Sequence, residues 1–311
     1  MPETQIFALV PQYTRPVADL SDAIDEIILD PGPGQPGGSA IGLAARLRQE
    51  KFCGVITLFS TVRVGAAIRL AGIPVRLAPA TKLAQVFYNH RLPQRRSKSI
   101  KPEYEYNRDL VRSFLIARDR LRVDELVRPV IRVDSKVVTR TRKDLSKELG
   151  LPLELPWVLM HPHSGGSAAN LSIQQYAELG RKLVAEHGLA FVITAGPGEM
   201  KDANHLLEQL GSPYCAIYDS RDGLRRFIEV LATADLFIGG STGPLHLAGA
   251  LDRATAGFYP RRKTGSPLRW QTLNQPDKRL SFVPPLTADE RDVSSIDIVA
   301  AAAQISAQFL S

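Results

Sequence analysis

The stretch Leu236–Tyr259, LFIGGSTGPLHLAGALDRATAGFY, is where the fold can be read most directly. Leu236–Ile238 is a short apolar run of the buried-strand type, Leu245–Leu251 has helical spacing, and Thr255–Phe258 is strand-like again. Strand, tight turn, helix and strand make a βαβ unit of a parallel sheet. The turn carries chemistry as well as geometry. Amides at a helix N-terminus are unpaired and bear positive partial charge, so Ser241, Thr242 and Gly243 can hold a diphosphate. Gly243 lets the anion approach the backbone, Pro244 suits the first helical turn, and His246 would face the same anion. Taken alone, the segment reads equally well as a capped helix with a histidine on its surface.

Upstream the same alternation continues. Strands are expected at Trp157–Met160, Ala190–Thr194 and Ala216–Tyr218, with helices at Ile173–His187, Lys201–Leu210 and Leu224–Ala234. Ile296–Phe309 closes the chain as a helix. His161–Leu171, HPHSGGSAANL, directly follows the first of these strands, and Ser164, Gly165 and Gly166 in it form a hydroxyl-flanked Gly-Gly turn that suits an anion. Ala195–Glu199, AGPGE, follows the next strand and offers the Glu199 carboxylate to ribose hydroxyls, or simply starts a helix with an acid. No third ligand is spaced to join His161 and His163, so no metal is expected.

The first half alternates too, with strands at Ile6–Val10, Glu26–Leu29, Val55–Phe59 and Val75–Ala78 and helices at Ala40–Phe52 and Thr61–Leu70. Pro31–Gly38, PGPGQPGG, reads as a linker, because its prolines lack the amides an anion needs. Tyr104 to about Leu126 is an amphipathic helix, and Arg128–Pro156 a mixed-charge crossing between domains. The expectation is an α/β protein of two Rossmann-like doubly wound domains facing a cleft. Residues 1–150 form one domain with its linker and 151–311 the other, whose last helix packs back on the N-terminal domain.

Composition sets the bounds. The chain has 311 residues, 44% hydrophobic and 23% charged, and suits two ordinary folded domains. No run approaches membrane-span length and the start lacks a signal-peptide pattern, so a cytoplasmic location is expected. Cys53 and Cys215 are too few for a disulfide framework and are expected to pack as small apolar residues. The net charge of +7 suits a nucleotide phosphate, a phosphorylated glycolipid or an anionic membrane leaflet. Its basic residues lack the aromatic interleaving of RNA readers, so no nucleic acid partner is expected.

The segments HPHSGGSAANLS, GPGE and STGPLHLAGAL, in that order, together with KPEYEYNRDLVRSF (Lys101–Phe114) and FYPRRKTGSPLRW (Phe258–Trp270), resemble glycosyltransferase family nine, the lipopolysaccharide heptosyltransferases. The resemblance spans nearly the whole chain. It implies the GT-B architecture, no cofactor, and inverting transfer of a heptose from an ADP-activated donor onto a lipopolysaccharide-type glycolipid, with peripheral contact at the inner membrane. By the same resemblance Ser164, Gly165, Gly166, Glu199, Ser241, Thr242, Gly243 and His246 hold the donor, and Arg261, Arg262 and Lys263 help neutralise its diphosphate.

Three positions depart from the family pattern. Ser241 stands where an acid often precedes Thr-Gly, and no basic residue follows the Gly-Gly turn near Ala169. The chain opens on what resembles the family's second strand, so the first βα unit, with the Gly-Asp motif that supplies the base, is expected to be missing. No other carboxylate takes that role, and the catalytic residue is left unassigned. A start site placed too late is the expected cause, and a weak or inactive nucleotide-sugar-binding or glycan-binding member of the same fold is the alternative.

Overall fold

The computed structural model describes residues 4–117, 126–163 and 169–311. The chain divides into two compact units, Met1–Arg15 with Ile24–Glu125, and Pro16–Ala23 with Leu126–Ser311.

In the first unit β1 (Phe7–Pro11) and β2 (Glu26–Asp30) pair in parallel, and of the single helical turn between them, α1 (Arg15–Ala18), all but Arg15 belongs to the second unit. There follow α2 (Ala40–Gln49), β3 (Gly54–Ile56), α3 (Val62–Leu70), β4 (Val75–Pro79), β5 (His90–Leu92) and α4 (Glu103–Ile116). Strands β3, β4 and β5 form a second parallel sheet. Ser39 and Thr61 cap α2 and α3 by accepting from the amides of Gly42 and Val64, which is why both helices start where the apolar spacing does. Ile28, Leu43, Leu47, Ile68 and Ile73 join the elements in one core. The sequence-expected helix from Tyr104 runs to Ile116, and residues 118–125 lie outside the described ones.

The second unit is built on one six-stranded parallel sheet. Its elements are α5 (Ser135–Leu149), β6 (Trp157–His161), α6 (Ile173–Glu186), β7 (Ala190–Ala195), α7 (Met200–Leu210), β8 (Cys215–Asp219), α8 (Gly223–Leu231), β9 (Leu236–Gly240), α9 (Gly243–Ala250), β10 (Ala254–Phe258), β11 (Arg279–Phe282) and α10 (Ile298–Ile305). The strand order is β11-β10-β9-β6-β7-β8. Strands β7 and β9 are buried along their whole length, as parallel strands covered on both faces must be. A Ser172–Gln175 capping box starts α6.

The domain division and the placement of Cys53 differ from expectation. The stretch read as a crossing contains α5, whose Val138, Thr141 and Leu145 lie one to two turns apart and face the core beside Ile131 and Phe227. Charged neighbours hide this narrow apolar stripe in the sequence, and its packing moves the division from 150/151 to 125/126. Pro16–Ala23 also belongs to the second unit, where Leu20 is buried and its carbonyl accepts from the Arg132 amide. The closing helix is held in the second unit's core, with Ile298, Ala302 and Ile305 clustered with Leu179 and Leu183 of α6. Cys53, expected to be packed, is exposed. Strands β5 and β11 are additions the sequence reading did not foresee.

Candidate functional site

Strand order decides where a ligand can sit. The chain enters the large sheet at β6, builds outward through β7 and β8, then crosses to β9 on the other side of β6. The switch point therefore lies between β6 and β9, and open α/β sheets bind ligands outside the carboxyl ends of the strands at such a point. The segments after β6 and β9 are the two that the sequence singled out as anion-binding turns.

On the β6 side, His161 Nδ1 lies 3.1 Å from the Thr194 carbonyl oxygen and 3.0 Å from its hydroxyl. That hydroxyl donates to the Met160 carbonyl, so the ring nitrogen serves as the donor to Thr194. Burial pushes the His161 pKa below its ordinary value, outweighing the nearby Glu199 carboxylate and the Thr194 hydrogen bond. A neutral ring with Nδ1 protonated leaves Nε2 as an acceptor, 4.0 Å from Glu199 Oε2. Glu199 itself closes the AGPGE turn, since Oε2 accepts from the Gly196 amide at 2.6 Å. His163 Nδ1 lies 4.0 Å from Asp202, and its Nε2 is buried with no hydrogen-bond partner among the described residues.

On the β9 side the strand ends in Gly239 and Gly240, and Thr242 caps α9 in extended conformation. Unlike Ser39, Thr61 and Ser172, Thr242 does not use its side chain to cap its helix. Its hydroxyl donates to the Gly240 carbonyl instead. The first-turn amides of α9 are thus left to an incoming acceptor, next to an exposed Gly243 and a part-exposed Ser241. His246 packs edge-on to Trp270, with ring centroids 6.3 Å apart, and burial lowers its pKa. Trp270 is fixed in turn by its indole N–H, which donates to the Thr264 carbonyl.

Asn170 ties the two sides together. Its amide nitrogen donates to the Pro162 carbonyl at 2.8 Å, while its oxygen accepts from the Tyr176 hydroxyl at 2.6 Å and the Leu171 amide at 3.0 Å. A Cβ at Gly240 would stand 2.5 Å from that oxygen, so glycine is required for β9 to lie this close.

The structure brings Glu199, Ser241, Thr242, Gly243 and His246 to the carboxyl ends of one sheet, on the loops and helix starts that follow β7 and β9. Ser164, Gly165 and Gly166 lie outside the described residues, although the flanks of their turn, Pro162 and Asn170, are in place. Among the three cations after β10, Arg261 donates to the Ala288 carbonyl at 2.9 Å, and Arg262 and Lys263 are exposed. Asn170, Thr194 and Trp270 were not singled out from sequence. Asn170 and Trp270 each stood inside a quoted motif, but only contacts across strands reveal their work.

Parallel sheets layered with helices, with this pair of loops at a switch point, define an α/β protein of the GT-B kind. Residues 41–287 match the model of glycosyltransferase family 9 (heptosyltransferase), and the chain belongs to that family. A Haemophilus influenzae protein provisionally named a glycosyltransferase is 42% identical over 306 residues, 98% of this chain and 88% of that protein. Among solved structures, E. coli ADP-heptose lipopolysaccharide heptosyltransferase II superposes with a TM-score of 0.74 at 19% identity, covering 100% of this chain and 91% of that one. A family 9 glycosyltransferase from Veillonella parvula gives 0.80 at 14% identity over 99% and 89%. E. coli heptosyltransferase WaaC with ADP gives 0.69 at 17% identity over 99% and 91%. At these identities the solved structures establish the shared fold. Among the described residues no helix is long and apolar enough to cross a membrane.

Proposed function

We propose that the chain is an inverting glycosyltransferase that takes a heptose from an ADP-activated donor and passes it to a lipopolysaccharide-type glycolipid. One observation carries the donor half of this reading: the uncapped start of α9 and the turn after β6 are joined at the switch point by Asn170 against Gly240. In this arrangement the α9 amides and the hydroxyls of Ser241 and Thr242 hold the diphosphate, and His246 and Glu199 bind the remaining polar groups of the nucleotide. Charge built up on the leaving diphosphate is stabilised by donors already in position, so no metal is invoked. Arg262 and Lys263 add positive charge at the exit of β10.

Calorimetric titration with ADP and with UDP tests the site. ADP is expected to bind, and Ser241→Ala and His246→Ala each to weaken it by about tenfold, the effect of losing one hydrogen bond to a charged group. Failure of both nucleotides to bind, or binding indifferent to both substitutions, overturns the donor site. Transfer of labelled heptose from ADP-heptose to a core glycolipid tests the reaction, and binding without transfer would favour a non-catalytic sugar-nucleotide-binding member.

A further inference from the structure

A nucleotide sugar is a linear ligand, and the strand order of the second unit gives it a direction. In the donor reading, on which this inference rests, Glu199 after β7 takes the ribose and the start of α9 after β9 takes the diphosphate. The strands run β10-β9-β6-β7, so the sugar beyond the diphosphate falls on the β10 side. Three strand intervals of about 4.8 Å separate β7 from β10, comparable to a ribose and a second sugar ring joined by a diphosphate.

The segment that leaves β10 presents one large ring there. Trp270 is 37% exposed although it is held from three directions. Its indole N–H donates to the Thr264 carbonyl at 2.9 Å, the Arg269 guanidinium lies 5.4 Å from the ring centre, and His246 of α9 stands edge-on at 6.3 Å. The contact with His246 sets the ring beside the first turn of α9, whose amides are left to the diphosphate. An exposed ring fixed in this way loses little freedom when a ligand covers it. Its electron-rich face suits the C–H groups of a pyranose, which carry the opposite partial charge. Arg262 and Lys263, exposed on the same segment, suit the diphosphate rather than a neutral sugar.

We infer that Trp270 is the platform on which the transferred sugar of the donor stacks, so that it recognises the sugar and not the nucleotide. A ring that only covered His246, or one that stacked on the base, would act on ADP and ADP-heptose alike. The test is calorimetric titration of the full chain with ADP and with ADP-heptose, in wild type, Trp270→Ala and Trp270→Phe, with tryptophan emission followed in parallel. Trp270→Ala is expected to leave ADP affinity within about twofold of wild type and to weaken ADP-heptose by about three- to tenfold, the range for an aromatic contact. Trp270→Phe, which keeps a ring but loses the bond to Thr264, should retain most of the ADP-heptose affinity. Trp157 is fully buried, so ADP-heptose should shift the wild-type emission more than ADP does, and that difference should vanish in Trp270→Phe. The inference is overturned by equal loss of both ligands in Trp270→Ala, by loss of neither, by a Phe variant as weak as the Ala variant, by emission that responds equally to both ligands, or by failure of ADP-heptose to bind wild type. Failure of ADP itself to bind wild type strikes the donor reading, and the inference falls with it.

Discussion

Asn170 carries more of the site than its size suggests. It satisfies the Pro162 carbonyl, the Leu171 amide and the buried Tyr176 hydroxyl, whose pKa is raised by that burial. Removing one side chain leaves several buried polar groups without partners, which costs more than the bonds themselves gain. Asn170→Ala is expected to destabilise the second unit by about 2–4 kcal/mol and to weaken ADP binding. Gly240→Ala should weaken binding as well, because its methyl group would displace the Asn170 amide. Thermal unfolding followed by titration measures both, and full nucleotide affinity in Gly240→Ala would show that the two turns act independently.

At the scale of elements, the loop after β2 shows how a segment of eight turn residues is held in place. Asp30, at the end of β2, pairs with Arg63 of α3 and accepts from the Gly32 amide at 3.0 Å, and Arg63 also donates to the Gly38 carbonyl at 3.0 Å. Burial alone would raise the Asp30 pKa, but the Arg63 hydrogen bond and charge and the Gly32 amide outweigh it, and the carboxyl titrates below its ordinary range. One cation therefore ties β2, its loop and α3 together. Arg63→Ala should cost about 1–3 kcal/mol, the range for charged hydrogen bonds in part-buried positions, and should raise hydrogen exchange across residues 31–38. Unchanged exchange in that loop would mean its glycines and prolines hold it unaided.

At the scale of the whole molecule, acid should act on the second unit. Burial keeps His161 and His246 neutral below the pH near 6.5 at which the unfolded chain takes up protons. From that pH downward the unfolded state binds more protons than the folded one, so stability falls with falling pH and is fully recovered above it. Both tryptophans, Trp157 and Trp270, lie in this unit, so tryptophan emission, excited selectively over tyrosine, reports on it. Urea unfolding followed by fluorescence should show a lower midpoint at about pH 5.5 than at about pH 7.5, and His161→Gln with His246→Gln should reduce the difference. An unchanged difference in that variant would assign the acid sensitivity to other groups.

Local chemistry settled much of this protein before folding is considered. The period of the apolar residues, the capping hydroxyls and the Gly-rich strand ends are properties of neighbours in sequence, so the parallel α/β elements and the family could be read directly, and the residues proposed to hold the donor were named from the same local patterns. The tertiary structure alone decided what depends on distant partners. Helix α5 is a helix because Val138, Thr141 and Leu145 find a core to face, and Leu20 joins the second unit because that core has room for it. The organising role of Asn170 follows from a β9 strand seventy residues away in sequence. Contacts of that range leave no local pattern, since each residue carries only half of the pair and strand order alone brings the halves together.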